Sequence, residues 1–326
     1  MAVIKWADQT AVTTVKWLWK PFIPFGKVTL VEGNGGDGKT TMMLTIAAML
    51  SQGVKPPALD NGSLYESESI EPLTTFFVTD EDSVGDMTLP RYIRASGDRS
   101  RLAYSGELEH HMTLNEQELN EIITKTGARL LIIDPLQSFL PKGTNMGNMT
   151  QMRAIFSMLT KVAQSNDCAI VIIGHLNKNE GARDIHRGMG SVDISAAVRS
   201  ILLVEADKKD RTKRYVRTIK SNYDESDYTP LQLVFDDNKR LSFRVAETFN
   251  DVDSEGIHMR KIDRAANIIR NMLKERPIAV SEIIAECEKN DISNKTVRRA
   301  GKERLNVLTK YIDGVAYWEL KDESII

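Results

Sequence analysis

The chain has 326 residues, of which 41% are apolar and 27% charged, with 20 Gly and 10 Pro. These fractions exclude a disordered or fibrous chain, and the length predicts two domains or one large domain with a smaller companion. A net charge of −2 excludes a uniformly basic coat for nucleic acid but leaves room for a local basic patch.

Cys168 and Cys287 are the only cysteines. Two thiols on separate segments make neither a disulfide framework nor a zinc site, which points to a reducing, cytoplasmic location. Apolar stretches such as Leu130–Ile133 and Ala169–Gly174 fall far short of the roughly 20 residues that a membrane span needs. The first twenty residues lack the apolar core and small-residue cleavage site of a secretory leader. No membrane partner is expected.

In chain order, Val28–Val31 reads as a buried strand, Thr40–Leu50 as a helix and Phe76–Thr79 as a strand. Leu130–Ile133 is a third strand, 148–165 a helix and Ala169–Ile173 a fourth strand. Continuous β-branched strands alternating with helices predict an α/β fold with a mainly parallel sheet covered on both faces. The texture changes after Arg199. Ser200–Glu205, Arg214–Lys220, Leu231–Phe235 and Leu241–Arg244 read as short strands joined by polar turns, an antiparallel extension. The polar, acidic stretch at 249–256 reads as a linker. The expected organisation is a domain at 1–248, a linker at 249–258 and a small domain at 259–326.

The sharpest motif is Gly33-Asn34-Gly35-Gly36-Asp37-Gly38-Lys39-Thr40-Thr41, between an apolar strand and a helical run. Glycines let backbone N–H groups approach phosphates without Cβ clashes, and the following helix adds the positive end of its dipole. In this arrangement Lys39 reaches the β- and γ-phosphates of ATP, and Thr40 offers its hydroxyl to Mg²⁺. The strand 129–133 ends in Asp134, the second expected metal-side group. Pro135 follows it, so the water-activating carboxylate must come from elsewhere. The turn Asp80-Glu81-Asp82, after the strand FFVT, supplies candidates: Glu81 first, with Asp80 and Asp82 as alternatives. His175, ending the fourth strand, is placed to touch the γ-phosphate.

Four segments in this order, GNGGDGKTT, FFVTDEDS, RLLIIDPLQSF and VIIGHLNK, resemble the RecA-like ATPases, in the branch that includes the RepA-type hexameric helicases of plasmids and related phage and mobile-element proteins. The resemblance also takes in 17–19, 23–27, 90–93, 187–191 and 197–200, and spans roughly Trp17 to Asn222. It implies a RecA-like P-loop core, Glu81 as catalytic base, and a homo-oligomeric ring or filament, expected as a hexamer, with nucleotide between subunits. A cation supplied in trans is then expected. Within the basic stretch 208–220, Arg217 and Lys220 stand where family members present such cations, and Arg199 is a third candidate. Two loops follow sheet strands on the side where RecA-like rings hold single-stranded DNA. Both read as flexible and without apolar anchors: 139–150, and 177–191 with Lys178, Arg183 and Arg187 as phosphate contacts.

Residues 259–320 read as three helices and a hairpin, an order that resembles a winged helix. Ser293 is the expected N-cap of the third helix, with Ile292 and Val297 as a staple. Lys295, Arg298, Arg299 and Lys302 then point outward. Between Lys289 and Lys310, seven cations face two carboxylates, a footprint suited to duplex DNA. The sequence thus predicts an ATP-hydrolysing, nucleic-acid-associated motor. The alternative is a non-translocating, ATP-gated DNA-binding regulator or recombination-type filament protein.

Overall fold

The computed structural model describes residues 6–9, 11–60, 62–65, 67–80, 83–105, 112–175, 198–207, 210–223, 229–246, 261–273, 276–290, 292–303, 305 and 307–320. The chain divides into two compact units, Met1–Gly256 and Ile257–Ile326. The expected linker at 249–258 lies outside the described residues.

In the larger unit the elements are β1 (Trp17–Trp19), β2 (Ile23–Pro24), β3 (Val28–Gly33), α1 (Lys39–Ser51), β4 (Leu59–Asp60), β5 (Ser63–Leu64) and β6 (Thr74–Thr79). Next come α2 (Leu89–Arg94), β7 (Leu102–Tyr104), α3 (Glu116–Thr126), β8 (Ala128–Asp134), α4 (Met149–Ser165) and β9 (Ala169–His175). The unit closes with β10 (Ser200–Ala206), β11 (Arg214–Ser221), β12 (Leu231–Phe235) and β13 (Leu241–Val245).

Nine strands form one sheet in the order β13-β12-β11-β10-β3-β9-β8-β6-β7. From β10 to β7 every pairing is parallel, and from β10 to β13 every pairing is antiparallel. This is an α/β fold with a mainly parallel sheet and an antiparallel extension. One expectation is corrected. The strand at 200–206 belongs to the parallel part, because it runs beside β3 with Leu203 level with Glu32. The reversal begins only at β11.

The pleat sends successive side chains of β3 to opposite faces. Val31 joins one apolar cluster with Met42, Ile46, Ile132 and Leu202. Leu30 joins the other with Leu131, Ile133, Leu119, Phe156 and Leu159. Burying each side chain of this size stabilises by about 1.5–3 kcal/mol, so covering both faces is what makes the long apolar strands viable. Helix α4 presents Met152, Phe156, Leu159, Val162 and Ala163 to the sheet, and the Asn148 side chain accepts from Gln151 N to cap its start. Helix α3 was not anticipated. Asn115 caps it by accepting from Glu118 N at 2.8 Å, and Gly127, at φ 64°, ends it in the left-handed region.

The stretch 139–150 also differs from expectation. It is anchored: Phe139 is buried, and Leu140 and Met146 pack against the α4-side core. Asn145 N donates to Gln151 Oε1 at 2.7 Å and Gly147 N to Asn145 Oδ1 at 2.8 Å, so local turns hold the chain.

The smaller unit contains α5 (Lys261–Met272), β14 (Ile278–Ala279), α6 (Val280–Lys289), α7 (Asn294–Glu303), β15 (Leu308–Ile312) and β16 (Val315–Glu319). Its strands pair in the order β14-β16-β15. Ala265, Ile269, Ile283, Cys287, Ile292, Val297 and Trp318 form its core. Ser293 Oγ accepts from Thr296 N at 3.4 Å, and Ile292 and Val297 are both fully buried beside this cap. Asp313 and Gly314 take φ 49° and 80°, the twist that a two-residue hairpin turn requires between β15 and β16.

Among the described residues, no helix is long and apolar enough to cross a membrane.

Candidate nucleotide-binding site

The loop from Gly33 to Gly38 joins the end of β3 to the start of α1. Two glycines are dictated by geometry. Gly38, at φ 99°, occupies the N-cap in a left-handed conformation that a side chain rarely adopts. A Cβ on Gly33 would come within 2.2 Å of Val204 O, so only glycine lets β3 lie this close to β10. At Gly35 and Gly36 a Cβ would meet nothing within 4 Å, so the crown of the loop faces open space.

The polar groups of the loop hold one another. Asp37 is almost fully buried and its Oδ2 accepts from Asn34 N at 2.9 Å. Lys39 is equally enclosed, and its Nζ donates to Gly33 O and Asn34 O, both at 2.9 Å. Thr40 Oγ1 donates to Asp134 Oδ2 at 2.6 Å, which brings the first turn of α1 against the end of β8. Helix α1 has no side-chain cap. Its leading amides therefore point at the open side of the loop, the arrangement that binds anions. The residues present fit a nucleoside triphosphate: an open crown, uncapped amides, a buried ammonium and a hydroxyl–carboxylate pair.

The structure thus brings Gly33 to Thr41 and Asp134 together. His175 pairs in register with Gly33, so its backbone stands beside the loop, while its side chain lies outside the described atoms. Thr79 is level with Asp134, and Asp80, exposed, follows at the same sheet edge. Glu81 and Asp82 lie outside the described residues, as do Lys178, Arg183 and Arg187.

Arg217, one of the two cations expected to act in trans, lies inside β11. It is 2% exposed, and its Nε donates to Glu205 Oε1 at 2.6 Å. Lys220 is half-buried and donates to Val198 O at 2.7 Å. Burial and the nearby Arg199 guanidinium lower its pKa. Lys295, Arg298, Arg299 and Lys302 are all exposed on α7, where Arg298 Nε donates to Asn294 Oδ1 at 2.9 Å.

One residue at the site was missed. Arg214, at the start of β11, brings its Cδ to 3.7 Å from where a Gly38 Cβ would lie, and its guanidinium stands 5.3 Å over the Phe235 ring. The only sequence signal was its place in the basic stretch 208–220, which does not distinguish it from its neighbours.

The family model described as "AAA domain" matches residues 2–181. DNA repair protein RadA of Mycobacterium tuberculosis is 24% identical over 216 residues, covering 65% of this chain and 38% of that protein. RadA of Streptococcus pneumoniae is 24% identical over 204 residues, covering 61% of this chain and 40% of its own. The matched region is thus well under half the length of these relatives. A solved structure, the KaiC-like protein PH0186 from Pyrococcus horikoshii OT3, is 14% identical with a TM-score of 0.47, covering 72% of this chain and 100% of that one. The family match spans more than half of the chain and includes the phosphate loop, Asp134 and β9, and on that ground the chain belongs to the AAA domain family of ATPases.

Proposed function

We propose that the protein is an ATP-hydrolysing, nucleic-acid-associated motor of the RecA-like class, in its RepA-type helicase branch. The observation that carries the hydrolytic part is the 2.6 Å bond between Thr40 and Asp134 beneath the loop that holds Lys39. On this reading Lys39 exchanges its two carbonyl partners for phosphate oxygens when ATP enters. Thr40 and Asp134 would hold Mg²⁺, which, when bound, neutralises charge on the phosphates. Glu81 accepts the proton of the attacking water, and His175 reports the γ-phosphate to the loop that follows it. Arg217 and Lys220 are the proposed cations in trans, which requires a homo-oligomer, and a hexamer is the form proposed.

Nucleic acid is the proposed partner. Single-stranded DNA would contact Lys178, Arg183 and Arg187, and duplex DNA the exposed cations of α7, in a winged-helix-like domain at 259–326. The RadA relatives, named as DNA repair proteins, support this reading, as does the exposed basic face of α7. A cytoplasmic location accords with it.

The test is ATP hydrolysis with and without single-stranded DNA, paired with a mass measurement of the assembly. Lys39→Ala should weaken nucleotide binding, whereas Glu81→Gln should leave ATP bound and slow its hydrolysis by roughly 10²-fold or more. Hydrolysis by Glu81→Gln at the wild-type rate refutes the assignment of the base. The basic face of α7 also favours the second reading, a regulator that binds one duplex site and does not translocate. Displacement of a labelled strand during hydrolysis decides for the motor. Duplex binding with ATP-dependent affinity and no displacement decides for the regulator.

A further inference from the structure

The opposite edge of the sheet carries a second feature. A cavity of about 500 Å³ opens where β3 and β10 begin and β11 has just ended, against one flank of α4. Four of its lining side chains are cationic, namely Lys27, Arg153, Lys161 and Arg199, and none of its lining residues is acidic. Lys161 is bonded to Glu116 at 2.5 Å, which partly offsets its charge. Lys27, Arg153 and Arg199 have no carboxylate in salt-bridge range among the described residues. Lys220 belongs to the same edge: it pairs in register with Ile201, and its Nζ is bonded to Val198 O, a lining residue. Tyr223 closes one side.

The chain as a whole is slightly acidic, so this concentration of cations does not follow from composition. Like charges held close together repel one another, and an anion is what relieves the repulsion. The volume falls in the range of small-molecule sites, roughly 300–1,000 Å³, and the hydroxyls of Ser157 and Thr160 add hydrogen-bonding groups to the wall.

We propose that this cavity binds the phosphates of a ligand of nucleotide size, at a site separate from the chain's own phosphate loop. Two sources share that chemistry: a nucleotide free in solution, or a nucleotide already seated in the phosphate loop of another copy of the chain. The second source rests on the oligomeric reading above, since Lys220 is one of the cations proposed to act in trans.

The full chain carrying Lys39→Ala, titrated with fluorescent ATP, isolates the cavity from the loop. Binding that persists there, and that Lys27→Glu with Arg153→Glu weakens roughly tenfold or more, assigns the free nucleotide. Lys27→Arg with Arg153→Lys, which keeps the charge, should retain that binding and so exclude a folding defect. If the Lys39→Ala chain binds nothing, it is mixed with the Lys27→Glu/Arg153→Glu chain. Hydrolysis several-fold above that of either variant alone assigns the nucleotide of a second copy. The proposal is overturned if no binding persists and mixing restores nothing, or if charge reversal leaves both binding and hydrolysis at the level of the parent chain. A wild-type assembly that measures as a monomer yet hydrolyses ATP refutes the oligomeric reading alone, and the titration still decides the cavity.

Discussion

The two edges of the central sheet handle positive charge in opposite ways. At the loop edge, Lys39 is enclosed and bonded to Gly33 O and Asn34 O, Asp37 closes on Asn34 N, and Thr40 is bonded to Asp134. At the far edge, Lys27, Arg153 and Arg199 stand apart from any carboxylate among the described residues. The first design fixes geometry, because every group is already oriented by the backbone. The second concentrates charge on long side chains. Helix α7 in the smaller unit also carries exposed cations, Lys295, Arg298, Arg299 and Lys302. Single substitutions should therefore be severe at the loop and graded on the cationic surfaces.

The largest expected effect is at Gly33. With Val204 O only 2.2 Å from the added Cβ, Gly33→Ala must push β3 away from β10. Destabilisation of about 3 kcal/mol and loss of ATP binding are expected, read by thermal unfolding and by calorimetry. An unchanged melting temperature would contradict the tight packing of the loop edge. A smaller, graded effect is expected on α7. Arg298→Ala with Arg299→Ala should lower duplex DNA affinity about equally across sequences and reduce the salt slope by about 2, measured by titration at several salt concentrations. An unaltered slope would remove these residues from the interface.

The smallest effect concerns Cys168, which precedes β9 at the cationic edge. It is fully buried, and burial pushes its thiol up to about 12, with Arg129 only partly opposing the shift. The folded chain holds this proton more tightly than the unfolded chain. The resulting stability is fully present below the ordinary thiol range and is lost as the pH climbs toward 12. At pH 8 a thiol reagent should leave Cys168 unmodified until the protein is denatured, as mass spectrometry would show. Rapid labelling of the folded chain would mean that the cationic edge opens to its core.

The loop edge was legible in the sequence because its chemistry is local. Nine consecutive residues specify the turn, and a short apolar strand ending in Asp134 specifies its partner. What was not legible depends on contacts between distant segments. Strand β10 follows the change of texture after Arg199, and only its pairing with β3 sets its direction. Helix α3 buries just Leu119 and Ile123 of its own residues, and its Asn115 cap is the clue to it in the sequence. In the 139–150 loop, Phe139 and Met146 were read as part of a Gly- and Asn-rich connection, although they pack on the core. Arg217 is expected as a cation in trans from its place in the resemblance, and the basic stretch around it gives no sign of its bond to Glu205. Glu205 on the adjacent strand was the missed signal, since Leu203 is its in-register partner and Glu205 stands one diagonal step away.

The Asp37 clasp has a kinetic corollary. A turn whose carboxylate already fastens its own amide meets its guest in finished form, and little disorder remains to be lost at the moment of capture. Arrival should then proceed at a rate governed by encounter, and differences among competing guests should show in how long each one stays.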